Sequence, residues 1–283
     1  MEYAAKTSWV RALGAIITTP RILLPFAVIA FIEFLFLEVL YFSARPPLLG
    51  SFGLLLQRLY GTRVLHYPGS LLLLSQLVYV FHLMVYVVAG LFAASQAAVF
   101  LVEGYPACTS QIPLRKKAAA GRFFFCAAYA GLTLLVAACA AGLVRVVFDL
   151  AAPLIARAAF FVNAGGYRFI FVVFSFAAGT AVRVILISAI PLMVLHERGA
   201  LKTVVTGVTT GLLHFPLLCV LLFPSLCLYF LSSVSRTYAG ALAGVTAPEI
   251  NLYLSAVSII ITAAADCFAV VCVTQWILEH ERP

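Results

Sequence analysis

Six apolar runs dominate this chain: 22–42, 71–102, 123–148, 169–195, 212–234 and 252–278. Each is as long as the roughly 20 residues an α-helix needs to cross the hydrocarbon core of a bilayer. A soluble domain could not bury so many, because it must cover its core with polar surface. Here 64% of the residues are hydrophobic and 10% are charged, and the mean hydropathy is +1.12. The bilayer is therefore the solvent, and spanning backbone must satisfy its own hydrogen bonds. The expected fold is all-α: a polytopic integral membrane protein with six transmembrane helices in a single membrane domain, residues 1–283. The first run is read as a helix of the mature protein. It carries Glu33 and Glu38 and ends at Phe42-Ser43-Ala44 without the small-residue pattern of a cleavage site.

The connections carry their own signals. In residues 1–21, Trp9, Leu13, Ile16 and Ile17 recur at helical spacing, with Lys6 and Arg11 off that face. This predicts an amphipathic helix in the membrane interface. Arg45-Pro46-Pro47 breaks the chain after the first run. Phe52, Leu55, Leu56 and Leu59, with Gln57 and Arg58 opposite, then predict a short interfacial helix stopped at Gly61. Gly90, Ala94 and Ala98 form a small-residue face for a neighbouring helix. Pro216 and Pro224 predict a kink in the fifth run, and residues 235–250 read as a loop.

A net charge of +8 would suggest nucleic acid in a soluble protein. Here the basic residues flank apolar runs, so nucleic acid is not an expected partner. Arg115, Lys116, Lys117, Arg122 and Lys202 are instead read as membrane-surface groups contacting lipids, anionic headgroups included. About ten basic residues fall on the side of the N-terminus and about seven on the other. That bias puts both termini in the cytoplasm, and the chain is read as a protein of a bacterial cytoplasmic membrane. The seven cysteines form no CxxC pair and no zinc-ligand spacing. They read as small apolar fillers, and no cofactor or metal is expected.

Similar endings divide the chain into three units, 1–104, 105–199 and 200–283. His196-Glu197-Arg198 closes one long run and His280-Glu281-Arg282 another, and Glu103 closes an earlier run. Thr18-Thr19 before Pro25 matches Thr209-Thr210 before Pro216 at the same spacing. Each unit holds two runs, so its end returns to its starting side. Three helical hairpins would then repeat in parallel orientation about the membrane normal. Arg115-Lys116-Lys117 and Leu201-Lys202-Thr203, each before a spanning hairpin, resemble the basic entry segments of a known plan. That plan is the six-helix membrane domain of bacterial glycerophosphodiester phosphodiesterases and its stand-alone relatives of unknown role. The resemblance covers the whole chain as a pattern without a diagnostic motif. The soluble phosphodiesterase domain is absent from this sequence, and the resemblance assigns no catalytic residue.

Charges at membrane depth are the sharpest chemical signal. Glu33, Arg183 and Asp266 fall near the middle of apolar runs, and His82 lies in the second. An ionised side chain at mid-bilayer costs about 2.5–3.5 kcal/mol even on the lenient insertion scale, so such groups face inward and pair. Arg183 is the cation of the three and the natural partner of Asp266 or Glu33. The set can be a structural ion pair or a site for an ion, proton or substrate. No phosphate loop, GxSxG or HExxH is present, so no catalytic residue is proposed. His196 and Glu197 read as polar endings of a spanning helix. The expected function is non-enzymatic, a scaffold or subunit of a membrane assembly with a membrane-protein partner or further copies of itself. The alternatives are a small-molecule or ion transporter or channel using Glu33, Arg183 and Asp266, and a membrane-embedded enzyme acting on lipids.

Overall fold

The computed structural model describes residues 2–43, 45–62, 91–103, 164–195, 200–245 and 249–280, and part of 77–90. Among the described residues every regular element is helical and there is no strand. In chain order the helices are α1 (Glu2–Thr18), α2 (Leu24–Phe42), α3 (Phe52–Tyr60), α4 (Leu91–Glu103) and α5 (Ala164–Ile187). They continue as α6 (Ala189–Leu195), α7 (Ala200–Leu213), α8 (Phe215–Val245) and α9 (Glu249–His280). Three segments are long and apolar enough to cross a membrane: Pro20–Phe42, Phe215–Val234 and Leu252–His280. Of the six expected spans, 123–148 lies outside the described residues and 71–102 is described in part.

Helix α9 is the hub. It packs against α8, α2, α1, α4 and α6. Its apolar window is 67% buried, against 28% for the span holding α2 and 33% for the one holding α8. From Ala265 to Leu278 it is enclosed almost all round, and small residues such as Ala269 and Cys272 let neighbours approach. Close approach matters in lipid, where packing rather than expulsion of water drives helices together. Cys267 and Cys272 are buried there as free thiols. Helices α4, α6 and α9 each touch the other two and form the inner layer; α2 and α8 lie outside them. The expected small-residue face is buried, at Ala94 and Ala98 on α4 and at Gly90 just before it.

Four local expectations change. On α1, Trp9 and Ile16 do pack against the core, but with Ala12, not with Leu13 and Ile17. Leu13 and Ile17 point outward, Ile17 at 78% exposure. Helix α1 lies on α9 and α8 with Ser8 and Ala12 closest to them, flanked by Trp9 and Ile16, which leaves Leu13 and Ile17 on the outer side. On α3, Leu56 packs inward with Leu37 and Leu40, whereas Leu55 and Leu59 are exposed. The run 169–195 is two helices, broken at Ser188. Pro191 cannot donate to the carbonyl of Ile187, and its ring crowds that carbonyl, so the helix ends there and restarts. Residues 235–245 continue α8 rather than forming a loop, because alanine and leucine carry the helix on and the next proline is Pro248.

The segment 200–211 is most of helix α7, which lies with one side against α5 and α6 and the other exposed. Thr203, Gly207 and Gly211 share its buried side. A Cβ on Gly207 would lie 2.3 Å from that of Ala189, and one on Gly211 would lie 2.2 Å from the carbonyl oxygen of Ile185. Only glycine lets these backbones come so near. The Ser188 hydroxyl, at the break, donates to the carbonyl of Gly207 at 2.7 Å.

Candidate functional site

Asp266 lies in the enclosed half of α9, 4% exposed. Its Oδ1 accepts from Nη2 of Arg183 on α5 and from the hydroxyl of Tyr229 on α8. One carboxylate oxygen thus ties three helices. The guanidinium carbon of Arg183 also lies 3.9 Å from the centroid of the Tyr229 ring, a cation–π contact that spreads the charge over an aromatic face. The Arg183 side chain keeps 29% of its surface exposed and that of Asp266 5%. The anion is therefore sealed while the cation reaches the edge of the bundle.

Hydroxyl groups extend this polar seam between α8 and α9. Ser232 meets Ser258 at 2.5 Å and Thr262 at 3.2 Å, and Thr262 donates back to the Ser258 carbonyl at 2.7 Å. Such contacts replace hydrogen bonds to water that hydrocarbon cannot supply, and the two that cross from α8 to α9 are worth about 1 kcal/mol each.

A second pair lies on α2. Glu33, 2% exposed, has Oε1 at 2.6 Å from Nδ1 of His82. With the carboxylate ionised, the imidazole N–H donates to it. A third contact closes the rim, where Arg11 of α1 pairs with Glu279 of α9. The Gln275 amide donates to the Arg11 carbonyl at 3.3 Å, and the Trp9 indole N–H donates to the Leu221 carbonyl at 2.7 Å. Arg11 is mostly exposed, so its ion pair adds at most about 1 kcal/mol, and Trp9 and Gln275 do more to hold α1 down.

The sequence-derived candidates thus form two groups. Asp266 and Arg183 come together, and Glu33 takes His82 rather than Arg183. Lys202 is exposed on α7. Arg115, Lys116, Lys117 and Arg122 lie outside the described residues, as do His196 and Glu197. Sequence reasoning missed Tyr229, although the spacing of Ser225, Tyr229 and Ser232 on one side of α8 was a usable signal. It also missed the clasp of Arg11 on Glu279, which joins residues 268 positions apart. No group of three His, Cys, Asp or Glu side chains that could hold a metal occurs among the described residues. Comparison with protein-family models, curated proteins and solved structures finds no match to this chain.

Proposed function

We propose that this chain is a six-span protein of a bacterial cytoplasmic membrane, with both termini in the cytoplasm, that serves as a non-enzymatic scaffold or subunit of a membrane assembly. The observation that carries the reading is Asp266, whose Oδ1 takes donors from two other helices of the same protein. A carboxylate so engaged is suited to locking helices and poorly suited to taking up a substrate or a proton. Glu33, held by His82, follows the same logic.

The packing also supports triplication in parallel orientation. Helix α1 leads into α2 as α7 leads into α8, and in both pairs a proline is the second residue of the following helix. Helix α1 lies on α9, which ends the third unit, and α7 lies on α5 and α6, which end the second. The two described entry helices thus each rest on a helix of the unit that would precede them in a ring of three. The resemblance to the membrane domains of glycerophosphodiester phosphodiesterases fits this plan, and on it the chain would be a stand-alone relative. Its membrane partners would be lipids with anionic headgroups and one or more other membrane proteins.

The transporter reading is kept for one observation: Arg183 reaches the edge of the bundle while its partner is sealed. Reconstitution in liposomes with a panel of ions and small solutes decides between the two. The scaffold reading expects no flux and no lipid turnover. Flux that disappears in Glu33→Gln or Asp266→Asn, with folding intact, would replace it with transport. Lipid turnover that depends on His196 or Glu197 would replace both with an enzyme.

A further inference from the structure

We infer that the outward face of α2 docks a second membrane-spanning helix that carries a lysine or arginine level with Glu38. The inference rests on the reading of the protein as a component of a membrane assembly, and it names the chemistry of the partner.

Glu38 is exposed, unlike Glu33 on the same helix. It shares a stripe with Leu24, Val28, Phe31, Leu35 and Phe42, all exposed, Phe31 at 62%. The outward stripes of the other two spans differ. That of α8 runs through Val220, Phe223, Leu228 and Leu231, and that of α9 through Tyr253, Val257 and Ile260. Those are what hydrocarbon alone requires. Arg21 and His280 are exposed too, but they stand in the first and last turns of their spans, where headgroups and water reach them. Glu38 stands inside the last turn of its span, and a carboxylate lacks the long stem with which lysine and arginine reach the interface.

The cation that follows α2 in sequence is engaged elsewhere. Arg45, just beyond α2, lies over the rings of Tyr41 and Phe42, at 5.5 and 5.7 Å from their centroids. Among the described residues Glu38 has no hydrogen bond or ion pair. An acid on a lipid-facing stripe is costly and is stabilised by a partner of opposite charge. The apolar residues on either side supply the packing surface such a helix needs. Two copies docked on this face about a two-fold axis would bring two carboxylates together, so the charge favours a different chain with a basic group.

The test uses the full-length protein, acceptor-labelled, in liposomes with donor-labelled synthetic spanning peptides of roughly 20 residues. One Leu/Ala peptide carries a single lysine about one turn from the end that reaches the depth of Glu38; its control carries leucine there. The lysine peptide is expected to associate more strongly than the control by about three- to thirty-fold. Glu38→Gln should reduce it to the control level. Glu38→Lys should transfer the preference to a peptide carrying glutamate. Equal association of the lysine and leucine peptides with the wild type would overturn the proposal, as would a lysine preference that survives Glu38→Gln. Energy transfer between two differently labelled copies that is lost in Glu38→Gln would also overturn it, by making a second copy the occupant. These outcomes are independent of solute flux, so failure here leaves the scaffold reading standing, and flux would end that reading without deciding this one.

Discussion

Asp266 follows Ala263-Ala264-Ala265 in the enclosed half of α9. Its carboxylate is tolerated because Arg183 and Tyr229 replace the water it gives up. The two donors should not be equal. Asp266→Ala leaves a cation at the edge of the bundle and removes both contacts. The loss is expected at about 2–4 kcal/mol, below the upper range for buried pairs because Arg183 can turn outward. Tyr229→Phe removes one hydroxyl contact and should cost about 1 kcal/mol. Reversible unfolding in mixed micelles measures both, and the double variant Arg183→Asp with Asp266→Arg should recover part of the loss. Single and double variants of equal stability would show that the pair contributes nothing. On α2, His82→Leu strands Glu33 in a site with 2% exposure, whereas Glu33→Gln leaves a neutral amide there. The first should be the more destabilising, by about 1–3 kcal/mol; the opposite order in the same assay would remove His82 as the partner that matters.

At the scale of elements, the seam of α7 with α5 and α6 depends on two missing methyl groups. Gly207→Ala must push Ala189, both its side chain and its backbone at 2.5 Å, and Gly211→Ala must push the backbone of Ile185. Backbone cannot swing aside as a side-chain end can, so each should cost at least about 1–3 kcal/mol. Gly14 on α1 and Gly179 on α5 are the controls, since a Cβ there meets nothing within 4 Å. Alanine at those positions should be neutral or stabilising by up to about 1 kcal/mol, through helix propensity alone. Thermal unfolding of the four single variants separates the pairs, and equal effects in all four would mean that α7 does not approach so closely. Pro191 belongs to the same seam: it breaks the helix at Ser188, whose hydroxyl donates to the Gly207 carbonyl.

In the molecule as a whole, α9 makes the last part of the chain the centre of the bundle. Helix α1, from the opposite end of the sequence, lies across it. The arrangement keeps Arg11 and Glu279 at one rim, on the side proposed to be cytoplasmic, and Arg45 follows α2 at its far end. An Arg45→Cys variant should therefore react from outside with an impermeant thiol reagent in whole cells, while a tag fused after Pro283 stays inaccessible until the membrane is opened. No labelling at position 45 together with exposure of the tag in intact cells would reverse the proposed orientation.

Hydrophobic run length alone identified α2, the apolar part of α8 and α9 as candidate spans, because the thickness of hydrocarbon sets a length that sequence displays directly. Charge within those runs also marked Glu33, Arg183 and Asp266, since an ion in hydrocarbon stands out against its neighbours. Helix ends were less legible. The extension of α8 to Val245 lies beyond the apolar run, where hydropathy no longer reports on helicity. Which groups meet was decided by tertiary structure: Tyr229 gains its role because antiparallel α8 and α9 bring it level with Asp266, and His82 reaches Glu33 across 49 residues of chain. The inward face of α1 was decided in the same way. Trp9 and Ile16 turn inward on either side of Ala12, the small residue that permits close backbone approach, and Leu13 and Ile17 are left outside, where lipid would solvate them as well as a core would.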